Sequence, residues 1–229
     1  MGKPQRIRDP LHNLIAFDEK QFDQALWRVI QTPDFQRLRR IKQLGFSELV
    51  YPGATHTRFS HSLGVYHIAK RLLEIIRQKD ESDYNSSFGR YAKAAALLHD
   101  IGHGPFSHAF EDVGKRLGFK LAKHEDVSDA VIRHRQIAAI LDDEFGTGFS
   151  ANVADLIKSS GASRGIYGAV VSSQFDADRL DYMQRDRIMT GTQVGGSLDC
   201  TWRGGLERGR FKRRQTQDLC ARPQSDSCL

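Results

Sequence analysis

The chain has 229 residues, 39% hydrophobic and 27% charged, with 34 Lys and Arg against 28 Asp and Glu, a net charge of +6 and a pI near 9.3. This length and balance suit one good-sized core, and they exclude a disordered polymer and a multi-domain machine. A polar start, no apolar run long enough for a bilayer, and three late cysteines (Cys200, Cys220, Cys228) with no framework or CxxC spacing predict a cytoplasmic protein without a membrane partner.

Asn13 to Phe17 reads as a short strand after an Asp9-Pro10 turn. Phe22, Ala25, Leu26, Val29 and Ile30 then recur at helical spacing. Thr32-Pro33 supplies an N-cap and a first-turn proline for a second helix, which carries Phe35, Leu38, Ile41 and Leu44. Leu49 to Gly53 breaks the pattern, and a long helix is predicted from about Arg58 to Gln78. Tyr91 to Leu98 reads as a tightly packed helix ending by Gly102, followed by a loop at Gly104-Pro105. Further helices are predicted over Phe106 to Leu117, Glu125 to Phe145, Asn152 to Ser159 and Arg179 to Met189. Period-2 alternation is scarce, so the class is all-α with at most a minor β-hairpin.

Composition changes after Trp202. The last 27 residues hold seven Lys or Arg, three acids and no helical period. Such a segment buries too little to offset its ordering entropy, so 1–202 is expected to fold and 203–229 to be a disordered basic tail. Four of the six net charges lie there, which weakens the basic pI as an argument for a nucleic-acid partner.

The chemistry concentrates in three places. Around Leu98 to His108, histidines and an aspartate crowd one short stretch, and these are ligands for borderline and hard divalent metals. Asp100 closes an apolar run, where an ionised carboxylate needs a partner or a cation. His61 falls on the apolar stripe of its helix; alone it reads as a satisfied core histidine, but a metal explains it together with His99 and Asp100. The third place is Asp176 to Asp186. Arg179, Tyr182 and Asp186 share a helix face with Asp178 just before it, while Asp181 and Arg185 read as a solvated i, i+4 pair.

His61, His99-Asp100 and Asp178 resemble the H…HD…D signature of the HD phosphohydrolase superfamily, helical bundles in which two His and two Asp hold one divalent metal. Gln43-Leu44-Gly45, Pro52-Gly53-Ala54, His56 to Val65, His99 to His108 and Asp178 to Tyr182 resemble more narrowly its deoxynucleoside triphosphate triphosphohydrolase branch, over about Asp9 to Thr192. The resemblance implies an HD core at about 50–190 with His61, His99, Asp100 and Asp178 as metal ligands. It also implies action on the α-phosphate and leaving group by His103, His108 and His124, and phosphate contacts by Arg58 and Arg179. Tyr182 would pack on the substrate, Gln43 (with Leu44 beside it) and Asp186 would read the sugar 3′-hydroxyl, and the enzyme would be a homo-oligomer. Mixed His/Asp ligation suits Mn, Fe or Mg first and Ni or Zn after them, without choosing among them. The implied reaction is water attack at the α-phosphorus, releasing a deoxynucleoside and tripolyphosphate. The alternatives are another HD-type hydrolase (a 5′-nucleotidase, or one acting on cyclic nucleotides or alarmones) and a non-catalytic nucleotide sensor or nucleic-acid binder. Enzymes of this branch continue beyond the last family-like helix, so a truncation or frame shift near Arg203 is expected.

Overall fold

Asp9 builds the first turn of the chain. Its Oδ1 accepts the backbone N–H groups of Leu11 and His12, each at 3.0 Å, and Asn13 closes the turn at φ 63°. The strands on either side, β1 (Gln5–Asp9) and β2 (Asn13–Phe17), pair antiparallel with Ile7 opposite Ile15. Only β2 is evident from the sequence. This computed structural model describes residues 4–18, 20–134, 136–158 and 165–192, so the predicted tail at 203–229 lies outside the described residues.

The rest is helical: α1 (Lys20–Ile30), α2 (Pro33–Gln36), α3 (Arg58–Lys79), α4 (Ser86–Leu98), α5 (His108–Arg116), α6 (His124–His134), α7 (Gln136–Phe145), α8 (Phe149–Lys158), α9 (Gly165–Val171) and α10 (Ala177–Thr190). The all-α expectation with a minor hairpin holds. Thr32 caps α2 by accepting the Phe35 N–H at 3.3 Å, and Pro33 takes the first turn, where its missing N–H costs nothing.

Several boundaries differ from the sequence reading. The helix predicted through Leu44 stops at Gln36, tightens into a 3-10 turn over Arg37–Arg40 and leaves Ile41 extended. From there the Ile41 carbonyl accepts the Arg58 N–H at 2.9 Å, and Gln43 N–H donates to the His56 carbonyl at 3.1 Å; that non-local pairing replaces the helix. The helix predicted over Glu125 to Phe145 is matched by α6 and α7 on either side of residue 135, which lies outside the described residues, while α5 is shorter than predicted and α9 is a further helix. Helix α4 starts earlier, because Asn85 accepts the Phe88 N–H at 3.1 Å and caps it.

Helix α4 is the central element: Ala94 to Leu98 are fully buried, and α4 packs against α3, α8 and α9. On another side of α3 lies α10. Gly64 permits that approach, since a Cβ there would overlap the Asp181 carboxylate and press on Arg185. The end of α4, the start of α3 and the start of α10 therefore converge.

Candidate metal centre

His61, on α3, is 1% exposed, as the stripe argument predicts. Its Nδ1–H donates to Asp181 Oδ2 at 2.8 Å, which leaves Nε2 facing Asp178 Oδ1 at 2.9 Å and Asp100 Oδ2 at 3.7 Å. His99 caps the C-terminal end of α4 and uses Nδ1 to donate to the Ala96 carbonyl at 2.9 Å. Its Nε2 is buried and has no hydrogen-bond partner, while lying 3.4 Å from Asp100 Oδ1 and 3.6 Å from Asp178 Oδ1. Both imidazoles thus have one nitrogen fixed by a backbone or carboxylate acceptor and the other aimed at a common point. That is how metal-binding histidines are held. Donor atoms of His61, His99 and Asp178 lie within 4.8 Å of one another, so these three can share an ion, with Asp100 alongside.

Charge points the same way. Burial disfavours the His61 imidazolium, yet hydrogen bonds to Asp178 and Asp181 and the nearby Asp100 raise its pKa to about 10. Burial likewise works against ionising Asp178 and Asp100, but their histidines, and Arg58 beside Asp100, hold both carboxyls below the usual carboxylate range. Three carboxylates around one imidazole call for a cation, and a bound divalent ion meets that need in a buried site.

Asp181 and Arg185 are not the solvated pair that the sequence suggests. They are 0% and 1% exposed. Asp181 Oδ1 lies 2.6 Å from His12 Nε2, and Arg185 bridges Asp181 (Nε to Oδ2, 2.7 Å) and Asp9 (Nη1 to Oδ2, 2.9 Å). The i, i+4 spacing is the same on either face of a helix, so only the docking of α10 against α3 and the hairpin decides which face is buried.

A second cluster begins at the turn after Asp100. His103 Nε2 lies 3.2 Å from Asp100 Oδ1, and the His103 ring stacks on His124 with centroids 3.9 Å apart. Glu111 gathers the predicted trio: its Oε1 is 2.6 Å from His124 Nδ1, 3.2 Å from His108 Nδ1 and 3.9 Å from His103 Nδ1. Burial pushes the His103 imidazole down to about 4, against the pull of Asp100. Gly102 permits the turn to reach this position, because a Cβ there would overlap the His124 carbonyl and the Ser128 backbone N. Cavities of about 380 Å³ and 450 Å³ open on the two sides of His124; the second also reaches His99 and Asp178.

The remaining predicted residues are placed unevenly. Arg58 is 5% exposed and ion-pairs with Asp100, while its Nε and Nη2 donate to Ser107 Oγ at 3.0 and 2.9 Å. Ser107 is held there at φ 55°, after Phe106 at φ 60°, a strained pair of residues at the mouth of the site. Asp186 Oδ1 lies 2.7 Å from His56 Nε2, and the buried Gln43 Oε1 has no partner, so Gln43, His56 and Asp186 form one small group. Leu44 precedes the 3-10 turn Gly45–Leu49 and is half-buried. Arg179 is exposed; its backbone N–H donates to Asp176 Oδ1 at 2.8 Å while its Nε lies 4.0 Å from Asp176 Oδ2, and Tyr182 is half-buried on the same helix. Sequence reasoning missed Asp181, His12, Ser107, His56 and Glu111 as site members. For Glu111, its i+3 relation to His108 was a usable signal.

A model of the HD domain family matches residues 58–184. The chain is 41% identical over 196 residues to the uncharacterized protein YwfO of Bacillus subtilis, covering 85% of this chain and 42% of that protein. It is 35% identical over 196 residues to the deoxynucleoside triphosphate triphosphohydrolase SAMHD1 homolog of Dictyostelium discoideum, covering 81% and 36%. The solved structure of a phosphohydrolase from Bacteroides thetaiotaomicron superposes with a TM-score of 0.67 at 34% identity, covering 84% of this chain and 44% of that one. In each comparison the chain spans less than half of the relative's length. Among the described residues, no helix is long and apolar enough to cross a membrane.

Proposed function

Because the chain belongs to the HD-domain phosphohydrolase superfamily, its family model covering residues 58–184, we propose that it hydrolyses deoxynucleoside triphosphates at the α-phosphorus, giving a deoxynucleoside and tripolyphosphate. One observation carries the metal dependence: the buried, partnerless Nε2 of His99 points at the Asp100 and Asp178 carboxylates beside His61. His61, His99, Asp100 and Asp178 would hold the ion, which supplies when bound an activated water and charge neutralisation at the phosphorus.

The chain's own residues do the rest. Asp181 keeps the His61 Nδ1 proton in place, and the Ala96 carbonyl does so for His99. His103, His108 and His124, grouped beyond the metal cluster, would supply the proton for the leaving 5′-oxygen. Glu111 orders His124 for that task by accepting its Nδ1 proton at 2.6 Å, and its charge lies 3.2 Å from His108 Nδ1. Arg58 already lies at the cluster with its charge shared by Asp100, and Arg179, exposed at the start of α10, is free to swing onto the polyphosphate. Gln43 and Asp186 would read the sugar 3′-hydroxyl, with Leu44 and Tyr182 packing on the nucleoside. The narrow reading draws support from likeness to the Dictyostelium protein and from three histidines grouped beyond the metal cluster.

The test is product identification with Mn²⁺ and each of the four dNTPs and GTP. Tripolyphosphate with deoxynucleoside is expected, abolished in Asp178→Ala and His99→Ala. Pyrophosphate or single phosphate as product would leave the metal-dependent hydrolase but refute the triphosphohydrolase. Product formation that survives both substitutions would refute the metal site itself.

A further inference from the structure

The turn after Asp100 and the first residues of α5 and α6 gather imidazole nitrogens around one carboxylate. Glu111 Oε1 has His124 Nδ1 at 2.6 Å, His108 Nδ1 at 3.2 Å and His103 Nδ1 at 3.9 Å. His108 and His124 open their helices, and Glu111 follows His108 by three residues, so both leave the same face of α5. The donor atoms of His108, Glu111 and His124 lie within 4.8 Å of one another.

His103 supplies the observation that hydrogen bonding alone does not account for. Its Nε2 lies 3.2 Å from Asp100 Oδ1, which places the ring proton there and leaves Nδ1 with a bare lone pair. The residue is 1% exposed, and this nitrogen has no hydrogen-bond partner while facing the Glu111 oxygen. One buried acceptor therefore confronts another with no proton between them, and a cation removes the conflict. Neighbouring ligands of a tetrahedral ion with Zn–N distances of about 2.0–2.1 Å are ~3.3 Å apart. The separations of 3.2 and 3.9 Å bracket that spacing, and the 2.6 Å one is shorter because a proton joins His124 to Glu111. The cavity of about 380 Å³ lined by His103, Glu111 and His124 gives access. Arg37, the cation on its wall, donates to the His103 carbonyl at 2.6 Å.

We propose that Glu111 Oε1 and the Nδ1 atoms of His103, His108 and His124 form a second metal site, separate from the centre at His61, His99, Asp100 and Asp178. Three imidazole nitrogens with one carboxylate oxygen select a borderline ion, Zn²⁺ ahead of Mn²⁺ or Mg²⁺. Binding releases to solvent the proton that His124 shares with Glu111. The inference does not depend on the proposed reaction.

Metal counting on the full chain tests it, after stripping with a chelator and dialysis against buffered Zn²⁺. Two zinc ions per chain are expected in the parent. One is expected in His108→Ala, in Glu111→Gln and in Asp178→Ala, and none when Asp178→Ala and His108→Ala are combined. The His108 side chain is 71% exposed, so circular dichroism of His108→Ala should match the parent and separate a lost ion from a lost fold. A single ion in the parent that survives Asp178→Ala and is lost in His108→Ala would uphold this site while refuting the first centre. A single ion lost in Asp178→Ala but kept in His108→Ala would overturn the proposal. So would two ions retained in both His108→Ala and Glu111→Gln.

Discussion

Replacing Asp181 by Asn keeps the side chain's shape and removes its charge. The carboxylate is fully buried and accepts from His12 Nε2 at 2.6 Å, His61 Nδ1 at 2.8 Å, and Arg185 Nε and Nη2 at 2.7 and 3.0 Å. An amide offers one acceptor oxygen and turns an NH₂ toward donors, while Arg185 keeps only Asp9, at 2.9 and 3.3 Å. Removing one side of a buried ion pair costs about 3–5 kcal/mol, a large part of a total of about 5–15 kcal/mol. Urea unfolding of the metal-free protein should therefore show a lower midpoint at unchanged slope. The same substitution frees the His61 Nδ1 proton, so Mn²⁺ affinity by calorimetry should fall about 10–100-fold. Burial opposes ionising Asp181, but its bonds to His12, His61 and Arg185 hold the carboxyl below its ordinary range. The stability it contributes is thus present above its unfolded pKa of about 3.9, and is lost as pH falls through the lower folded value. The gap between parent and variant should accordingly be full at pH 7 and shrink only in strong acid. A loss under about 1 kcal/mol, with metal affinity unchanged, would refute the argument that this network orients the metal ligand.

Gly102→Ala should cost about 3 kcal/mol or more, because the added Cβ meets backbone of His124 and Ser128 that cannot give way; unfolding midpoints and loss of hydrolysis together would show it. Thr32→Ala removes the cap of α2 and the hydroxyl's bond to the Val29 carbonyl, so a loss of about 1–2 kcal/mol with hydrolysis unchanged is expected, and a kinetic effect would disprove the cap's separation from the site. His67 has a folded pKa of about 4 against an ordinary 6.5, so unfolding takes up a proton between those values and stability falls as pH drops through that window. His67→Gln should flatten the urea midpoint between pH 6.5 and 4 relative to the parent; an unchanged slope would show that the imidazole is not held neutral.

The sequence alone established the helical class, the long α3 with His61 on its buried stripe, the Thr32-Pro33 start of α2 and the histidine and aspartate run after α4. Those features follow from local rules of period, cap and composition, and the H…HD…D spacing made the family legible before any fold was known. Tertiary structure decided the rest. Ile41 leaves the helical pattern because Arg58 takes its carbonyl, and Glu111 joins His108 and His124 because the Gly102 turn brings α6 close. Above all, an aspartate and an arginine four residues apart carry no mark of burial in sequence. Asp181 and Arg185 became the support of the metal ligand only because Gly64 lets α10 close on α3, while the Asp9 turn brings His12 from the far end of the chain. Periodicity can say that a face exists; only the packing of distant segments says which face loses its water, and that determines which charges must find one another.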